Sequence, residues 1–482
     1  MMQRPGPSLR WSVLAVLACV CSIPAIAAPA KKKSAKAVAH STKTAAKSGS
    51  KGKKTAVAKG KRVPRTLRTV HVNPAIRENA VMRVEDYLTE TASSPFLYPQ
   101  QMQGFFQALS AEQAERKAGG TPAGTVRILQ FGDSHTAADI FTGQMRENIQ
   151  QQFGDGGLGF QFAGHPFAGY KLAGSLRSQT AGWFTEGNKF NSLGDGDLGL
   201  GGLSISTNRP GESITLETSC SKLELHYLQQ AGGGRITFYD NGDEISTIAT
   251  ATEVEGDPNA AGTFSYACSP GQHDFQFTTD DQAPVKLLGV VTEQPGVTYE
   301  CLGINGASAP LMLRWNQQLF TDYLKRRAPN LIVLAYGTNE SSISSEDRLE
   351  TYQQDFERIL DTLHRVAPEA SVLVLGPADR GMAVRRAWKP FAGTARIIEM
   401  QKEACRTHGC AYWDTRRRMG GFGSMAQWVT AGWAQPDRTH LTGTGYRALA
   451  DALYADLIHA YNLYQQHPEI QESRNGQAPR HP

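Results

Sequence analysis

An α/β fold with a parallel sheet, interrupted by an all-β insert, is what this sequence predicts. The prediction rests on two textures. Buried-looking apolar runs alternate with amphipathic segments over residues 120–170 and again over 301–465, and strands alternating with helices imply a parallel sheet covered on both faces. Between them, over 171–300, short alternating runs are separated by Gly, Asn and Asp, the texture of a β-sandwich.

The chain has 482 residues, more than one hydrophobic core ordinarily serves, so two folded units plus tails are expected. Hydrophobic residues make up 40% and charged residues 20%, a globular composition. The net charge of +5 hides an asymmetry: residues 1–77 hold 17 Lys or Arg and no acid, leaving 33 basic against 45 acidic residues from Glu78 onward. The folded part is therefore acidic.

In chain order, Arg4 and Arg10 precede an apolar stretch from Trp11 to Ile26 and the small residues Ala25-Ile26-Ala27. This reads as a secretory leader over 1–27, cleaved near Ala27 or Ala28, and as too short to anchor in a bilayer. Val16-Leu17-Ala18-Cys19 is a weaker match to a lipoprotein processing site. Residues 28–77 form a basic linker, rich in Lys, Ala, Ser and Thr without apolar periodicity, that reads as disordered. It is a spacer first and a weak electrostatic contact for anionic envelope polymers second; nucleic acid is not an expected partner after export. Residues 78–119 read as helical, with breaks at Pro95 and Pro99.

Thr125–Phe131 is the first buried strand, and Phe141, Met145, Ile149 and Phe153 give the stretch 137–153 one apolar helical face. The insert offers runs at 222–227, 235–239, 263–266, 273–277 and 286–291. Helices at 308–327, 346–366, 393–407 and 443–462 then alternate with strands at 330–336, 371–376 and 410–414, and 466–482 is a tail. After loss of the leader five cysteines remain; Cys220 with Cys268 and Cys405 with Cys410 are the favoured disulfide pairs, with Cys301 left over.

The chemistry-bearing residues stand where these elements change. Ser134, in Phe131-Gly132-Asp133-Ser134-His135, sits where a strand gives way to a helix, a place where a hydroxyl can stand exposed as a nucleophile. His440 would take its proton, and Asp437, three residues earlier, would orient the imidazole. Asn339, in Gly337-Thr-Asn339-Glu340, can offer a side-chain N–H to an oxyanion, although Asn339-Glu-Ser also fits a glycosylation acceptor.

These three segments resemble blocks I, III and V of the SGNH (GDSL-type) hydrolases. The resemblance implies a flavodoxin-like three-layer core, a Ser134–His440–Asp437 catalytic set and an oxyanion hole built from the Ser134 N–H, Asn339 and a block II glycine. Gly306, in Gly303-Ile-Asn-Gly306, matches that glycine best, and Gly303 is the alternative. A β-insert between blocks I and II is similar to the peptidoglycan O-acetylesterases. It implies a periplasmic or cell-envelope serine esterase, with a carbohydrate-binding-module-like insert, that removes acetyl groups from the 6-hydroxyl of muramic acid, and an acetylated cell-wall glycan as its partner. Acetyl transfer to a sugar hydroxyl, or glycan binding by an inactive core, are the alternatives. No cofactor or metal is called for.

Neighbouring residues carry lesser expectations. His135 reads as a turn or rim residue rather than the base, and Asp133 as a turn hydrogen-bonder. Arg380 could meet substrate or solvent. Trp428 and Trp433 could stack on sugar faces, though packing is the default for aromatics. His165 and His408 have no evident metal partners.

Overall fold

The computed structural model describes residues 72–89, 95–120, 124–187, 193–252, 259–385 and 387–466. The leader, nearly all of the basic linker and the C-terminal tail expected from sequence lie outside the described residues. None of the described helices is long and apolar enough to cross a membrane.

A six-stranded sheet forms the centre, in the order Phe96–Leu97, Ala411–Trp413, Ser371–Leu375, Leu331–Ala335, Thr125–Gly132, Gly296–Gly303. The last five are mutually parallel, and Phe96–Leu97 adds an antiparallel edge. Successive residues of the central strands enter opposite cores. Leu129, Phe131, Ile332, Leu334, Val372 and Val374 join one, with Leu319, Phe320, Tyr352, Phe356 and Ile397 from the helices Gln317–Arg327, Glu346–Val366 and Gly393–His408. Ile128, Leu331, Val333 and Leu373 join the other, with Phe105, Met145, Leu449 and Leu453 from Gln103–Lys117, Phe141–Phe153 and Gly443–Gln466. Burial on both faces is why these strands read as continuous apolar runs. Each fully buried Leu, Ile or Phe among them contributes about 1.5–3 kcal/mol of transfer free energy.

Two expected helices are shorter than their apolar periodicity. The stretch 137–153 is helical only from Phe141, because the Asp133 carbonyl accepts from Thr136 and Ala137 N–H and holds a turn there. Asp139 closes that turn at φ +50°, its carboxylate gripped by Arg146 and Thr142, each at 2.6 Å. The stretch 308–327 divides into a 3₁₀ segment, Ala309–Arg314, and the helix Gln317–Arg327, whose N-cap Asn316 accepts from Gln318 and Leu319 N–H.

Between Thr125–Gly132 and its parallel neighbour Gly296–Gly303, nine strands among the described residues form one antiparallel sheet, from Gly159–Gln161 to Val285–Glu293. Its spine is the pairing of Ser213–Gln229 with Ala260–Thr279, whose register shifts between Ala267 and Gly271. Trp183, Leu223, Leu225, Phe238, Phe275 and Leu287 give it a core of its own. The helix Gln317–Arg327 fastens this sheet to the α/β layer. Arg326 forms a bidentate pair with Glu224 at 2.8 Å, and Tyr323 stacks on His226 with ring centroids 4.4 Å apart.

Cys405 and Cys410, one of the two favoured pairs, are disulfide-bonded. Cys220 and Cys268 are not bonded: their Sγ atoms stand 3.8 Å apart, beyond the roughly 2.05 Å of a disulfide. The two lie beside the register shift, which offsets one strand against the other. Cys301 is a buried free thiol.

Candidate active site

The strand Thr125–Gly132 ends in a glycine because nothing larger fits. A Cβ on Gly132 would lie 2.1 Å from Thr136 Oγ1 and 3.0 Å from the Ala335 carbonyl. Thr136 is itself fixed by Gln130 Nε2 at 2.9 Å, and Asp133 Oδ1 accepts from the His135 N–H at 2.9 Å. The turn so built leaves Ser134 half-buried at the C-terminal end of the sheet, where ligand-binding loops of open α/β folds converge.

The loop 435–441 reaches the same end. Gln435 N–H donates to the His440 carbonyl at 2.8 Å, and Arg438 takes a left-handed conformation at φ +56°, tightening the loop so that Asp437 folds back on His440. Asp437 Oδ1 accepts from Thr439 and His440 N–H at 2.9 and 3.0 Å, and Oδ2 accepts from His440 Nδ1 at 2.8 Å. An ionised carboxylate can only accept, so Nδ1 carries the hydrogen and Nε2 is left as an acceptor. The Ser134 hydroxyl lies 2.9 Å from Nε2 and donates to it. Burial opposes charge on Asp437, but the imidazole and the two N–H groups outweigh it and hold the carboxyl below its ordinary range.

The three residues paired in the sequence reading thus meet in one hydrogen-bonded chain. Of the two glycines, Gly303 is buried under the turn that carries Ser134: a Cβ there would lie 2.3 Å from Ala137 N, and the following Ile304 N–H donates to the Gly132 carbonyl at 3.0 Å. Gly306 is exposed, at φ +75°. Among the described residues nothing accepts from the N–H of Ser134 or of Gly306. Asn339 differs, since its Nδ2 already donates to the Ala307 carbonyl at 2.7 Å and, weakly, to Asp133 Oδ2 at 3.4 Å.

Glu340, next to Asn339 in sequence, is the bolt of this region. Its buried carboxylate accepts from Ala309 N–H at 2.7 Å through one oxygen and from Gly337 N–H at 3.0 Å through the other. It therefore locks the loop carrying Asn339 to the loop carrying Gly306. Burial pushes its pKa up to about 7, despite the two N–H donors, and Asp133 nearby adds repulsion. Asp133 is likewise buried and pushed up by desolvation to about 6.

A raised carboxyl pKa means that the folded state holds its proton more tightly. Stability from Glu340 is therefore fully present below its ordinary 4.5 and is lost as pH rises toward about 7. The melting temperature of wild type relative to Glu340→Gln should accordingly fall between pH ~5 and ~7.5. A difference that stays constant over that range would mean the carboxyl is not perturbed.

His135 is a neighbour of His440 and lies outside the chain of hydrogen bonds from Ser134 to Asp437. Its ring stacks on His440 with centroids 5.2 Å apart, and its Nδ1 is hydrogen-bonded to the Tyr446 hydroxyl at 3.0 Å. Burial, with His440 adding repulsion, pushes its pKa down to about 3, so it stays neutral at working pH. A cavity of about 50 Å³ lies under the turn, lined by Gln130, Asp133, His135, Thr136 and Tyr446 among others, and includes neither Ser134 nor His440.

Arg380 is held by the loop that carries Asn339. It donates to the Thr338 carbonyl at 2.8 Å and to Ser341 Oγ at 3.0 Å, over the ring of Phe391. Trp428 is fully buried and donates to the Met419 carbonyl, and Trp433 packs edge-on against it. Trp428 therefore offers no sugar face. Its apolar surface is worth more in the core than at the rim. His408 pairs with Asp361 at 2.7 Å and His165 is exposed.

The model of the GDSL-like lipase/acylhydrolase family matches residues 265–448, taking in Gly306, Asn339, Asp437 and His440 but not Ser134, which lies across the insert. A solved structure of a peptidoglycan O-acetylesterase matches 75% of this chain and 96% of its own, at 25% identity and a TM-score of 0.62. A family two carbohydrate esterase from Clostridium thermocellum matches 57% of this chain and 98% of its own at 11% identity, with a TM-score of only 0.25. No curated protein matches the sequence. Residues 265–448 thus match a GDSL-like lipase/acylhydrolase model, within a fold similar to that of a peptidoglycan O-acetylesterase.

Proposed function

We propose that this chain is an exported serine esterase, acting in the periplasm or cell envelope, that removes O-acetyl groups from a polysaccharide, with peptidoglycan as the leading substrate. The observation that carries the proposal is the continuous chain from the Ser134 hydroxyl through His440 to Asp437. Likeness to a peptidoglycan O-acetylesterase along nearly the whole of that protein supports the choice of glycan.

In this reading Ser134 Oγ attacks the acetyl carbonyl as its proton passes to His440 Nε2. Asp437 stabilises the resulting imidazolium. The oxyanion is held by the Ser134 and Gly306 N–H groups, both without an internal acceptor, and by Asn339 Nδ2. The bond that Asn339 exchanges is the long one to Asp133, while the short one to Ala307 keeps the amide in place. Each such donor is worth about 3 kcal/mol of barrier. His440 then protonates the departing sugar oxygen, and water, deprotonated by the same imidazole, releases acetate from the acetyl-serine.

Purified protein should release acetate from O-acetylated peptidoglycan faster than from acetylated xylan. Release from xylan alone would overturn the cell-wall substrate and spare the esterase. Release from neither, with turnover of a small aryl acetate, would leave an esterase of another substrate class.

A further inference from the structure

Sequence named Trp428 and Trp433 as aromatics that could stack on sugars, with packing as their default, and a different tryptophan lies beside the loop that carries His440. The strands Gly381–Val384 and Ala387–Pro390 form an antiparallel hairpin. One side of its base is bonded to the acid–base loop, where Gly381 N–H donates to the Arg438 carbonyl at 2.8 Å. Gly381 is a glycine for this contact, since a Cβ there would lie 3.0 Å from the Arg438 side chain. Arg380, the residue before Gly381, ties the same base toward the loop that carries Asn339. Phe391 N–H donates to the Arg380 carbonyl at 2.9 Å, and the Arg380 guanidinium holds the Thr338 carbonyl, next to Asn339.

The hairpin therefore spans the two loops that supply the base and an oxyanion donor. It presents Trp388, 43% exposed, with its ring fixed by the Arg438 guanidinium 5.2 Å from the centroid. Arg438 lies between Asp437 and His440, so the ring is indexed to the triad itself. Met382 on the same hairpin, and Phe422 on the loop whose Gly423 lies against Pro390, are also exposed. Register sets the two hairpin residues apart, Trp388 sharing a face with Ala383 and Met382 the opposite one with Lys389, so Trp388 is the large apolar side chain of the hairpin that lies on the Arg438 side. A rigid, half-exposed indole with a cation locking its orientation suits the apolar face of a pyranose ring better than it suits solvent.

We propose that Trp388 is a specificity-determining residue: a stacking platform for a sugar ring of the polymer whose acetyl group enters the Ser134 site. This rests on the esterase reading above and adds where the glycan lies, across the hairpin rather than along Trp428 and Trp433.

The test compares Trp388→Ala, Trp388→Phe and wild type on O-acetylated peptidoglycan and on a small aryl acetate. The Ala variant should lose kcat/KM on the polymer by at least about tenfold more than on the aryl ester, chiefly through KM, and the Phe variant should recover part of the loss. Equal losses on both substrates would show that Trp388 merely braces Arg438 and the triad loop, overturning the platform. No loss on the polymer would overturn it as well. A wild type that cleaves the aryl ester but no acetylated glycan would sink the polysaccharide reading itself, an outcome distinct from either.

Discussion

Ser134→Ala should lower kcat for acetyl-ester hydrolysis by about 10⁴-fold or more while shifting the melting temperature by no more than a few degrees. The asymmetry follows from the geometry. Ser134 Oγ makes one hydrogen bond, to His440 Nε2, and that bond ties down no secondary-structure element. The turn is held instead by the Asp133 carbonyl and carboxylate, by Thr136 and by Gly132, all retained in the variant. Removing one hydroxyl from a half-buried position is a small stability change, whereas removing the attacking atom closes the covalent route. Hydrolysis at near wild-type rate in Ser134→Ala, measured as acetate released from an aryl acetate, would refute the nucleophile.

The second large effect separates two adjacent histidines. His440→Ala should cost a similar factor, about 10⁴, because no other group can take the serine proton. His135→Ala should cost about tenfold or less. His135 is the residue next to the nucleophile in sequence, so proximity alone would have chosen it. Geometry and charge exclude it: its Nδ1 faces Tyr446, and burial pushes its pKa down to about 3, too low for a base that must hold a proton near neutrality. What His135 gives is a neutral face against which the His440 ring rests. Should His135→Ala prove the more damaging of the two, the assignment of the base would be reversed.

Much of this site could be read before any coordinates, for a physical reason. Parallel strands buried on both faces are the plainest signal a sequence carries, and residues at their C-terminal ends converge whatever the loops between them do. Ser134 and Asn339 each follow such a strand, and Asp437 and His440 are close enough in sequence for local geometry to join them. Gly296–Gly303 was legible only as part of the insert's apolar texture, because both sheets are buried there and nothing in the residues marks the change from antiparallel to parallel pairing. Phe96–Leu97 is a two-residue strand, too short for any periodicity.

Partnering across the fold was beyond reach in the same way. That Glu340 accepts from Ala309, or that the Asn339 amide is half committed to Ala307, depends on two distant loops meeting. The tryptophans differ. Trp388 stands among Arg385, Arg386 and Lys389 whereas Trp428 stands in the uncharged stretch Met425–Ala431, a contrast that agrees with one being rim and the other core.

The insertion has a consequence for the order in which the protein assembles. Thr125–Gly132 lies near the start of the folded chain, yet both strands that flank it, Gly296–Gly303 and Leu331–Ala335, come after the entire antiparallel sheet. Contacts of such long sequence separation carry a large loop-closure entropy and form slowly. The antiparallel sheet, which has a core of its own, is expected to ease this: its pairing of Gly159–Gln161 with Val285–Glu293 holds the two ends of the excursion side by side, next to the Asp155–Val297 bridge. The β-insert thus acts as a splint for the hydrolase, turning a distant strand pairing into a near one. A lesion in its register, far from any substrate, would show first as slow or failed maturation of the enzyme rather than as a change in its turnover.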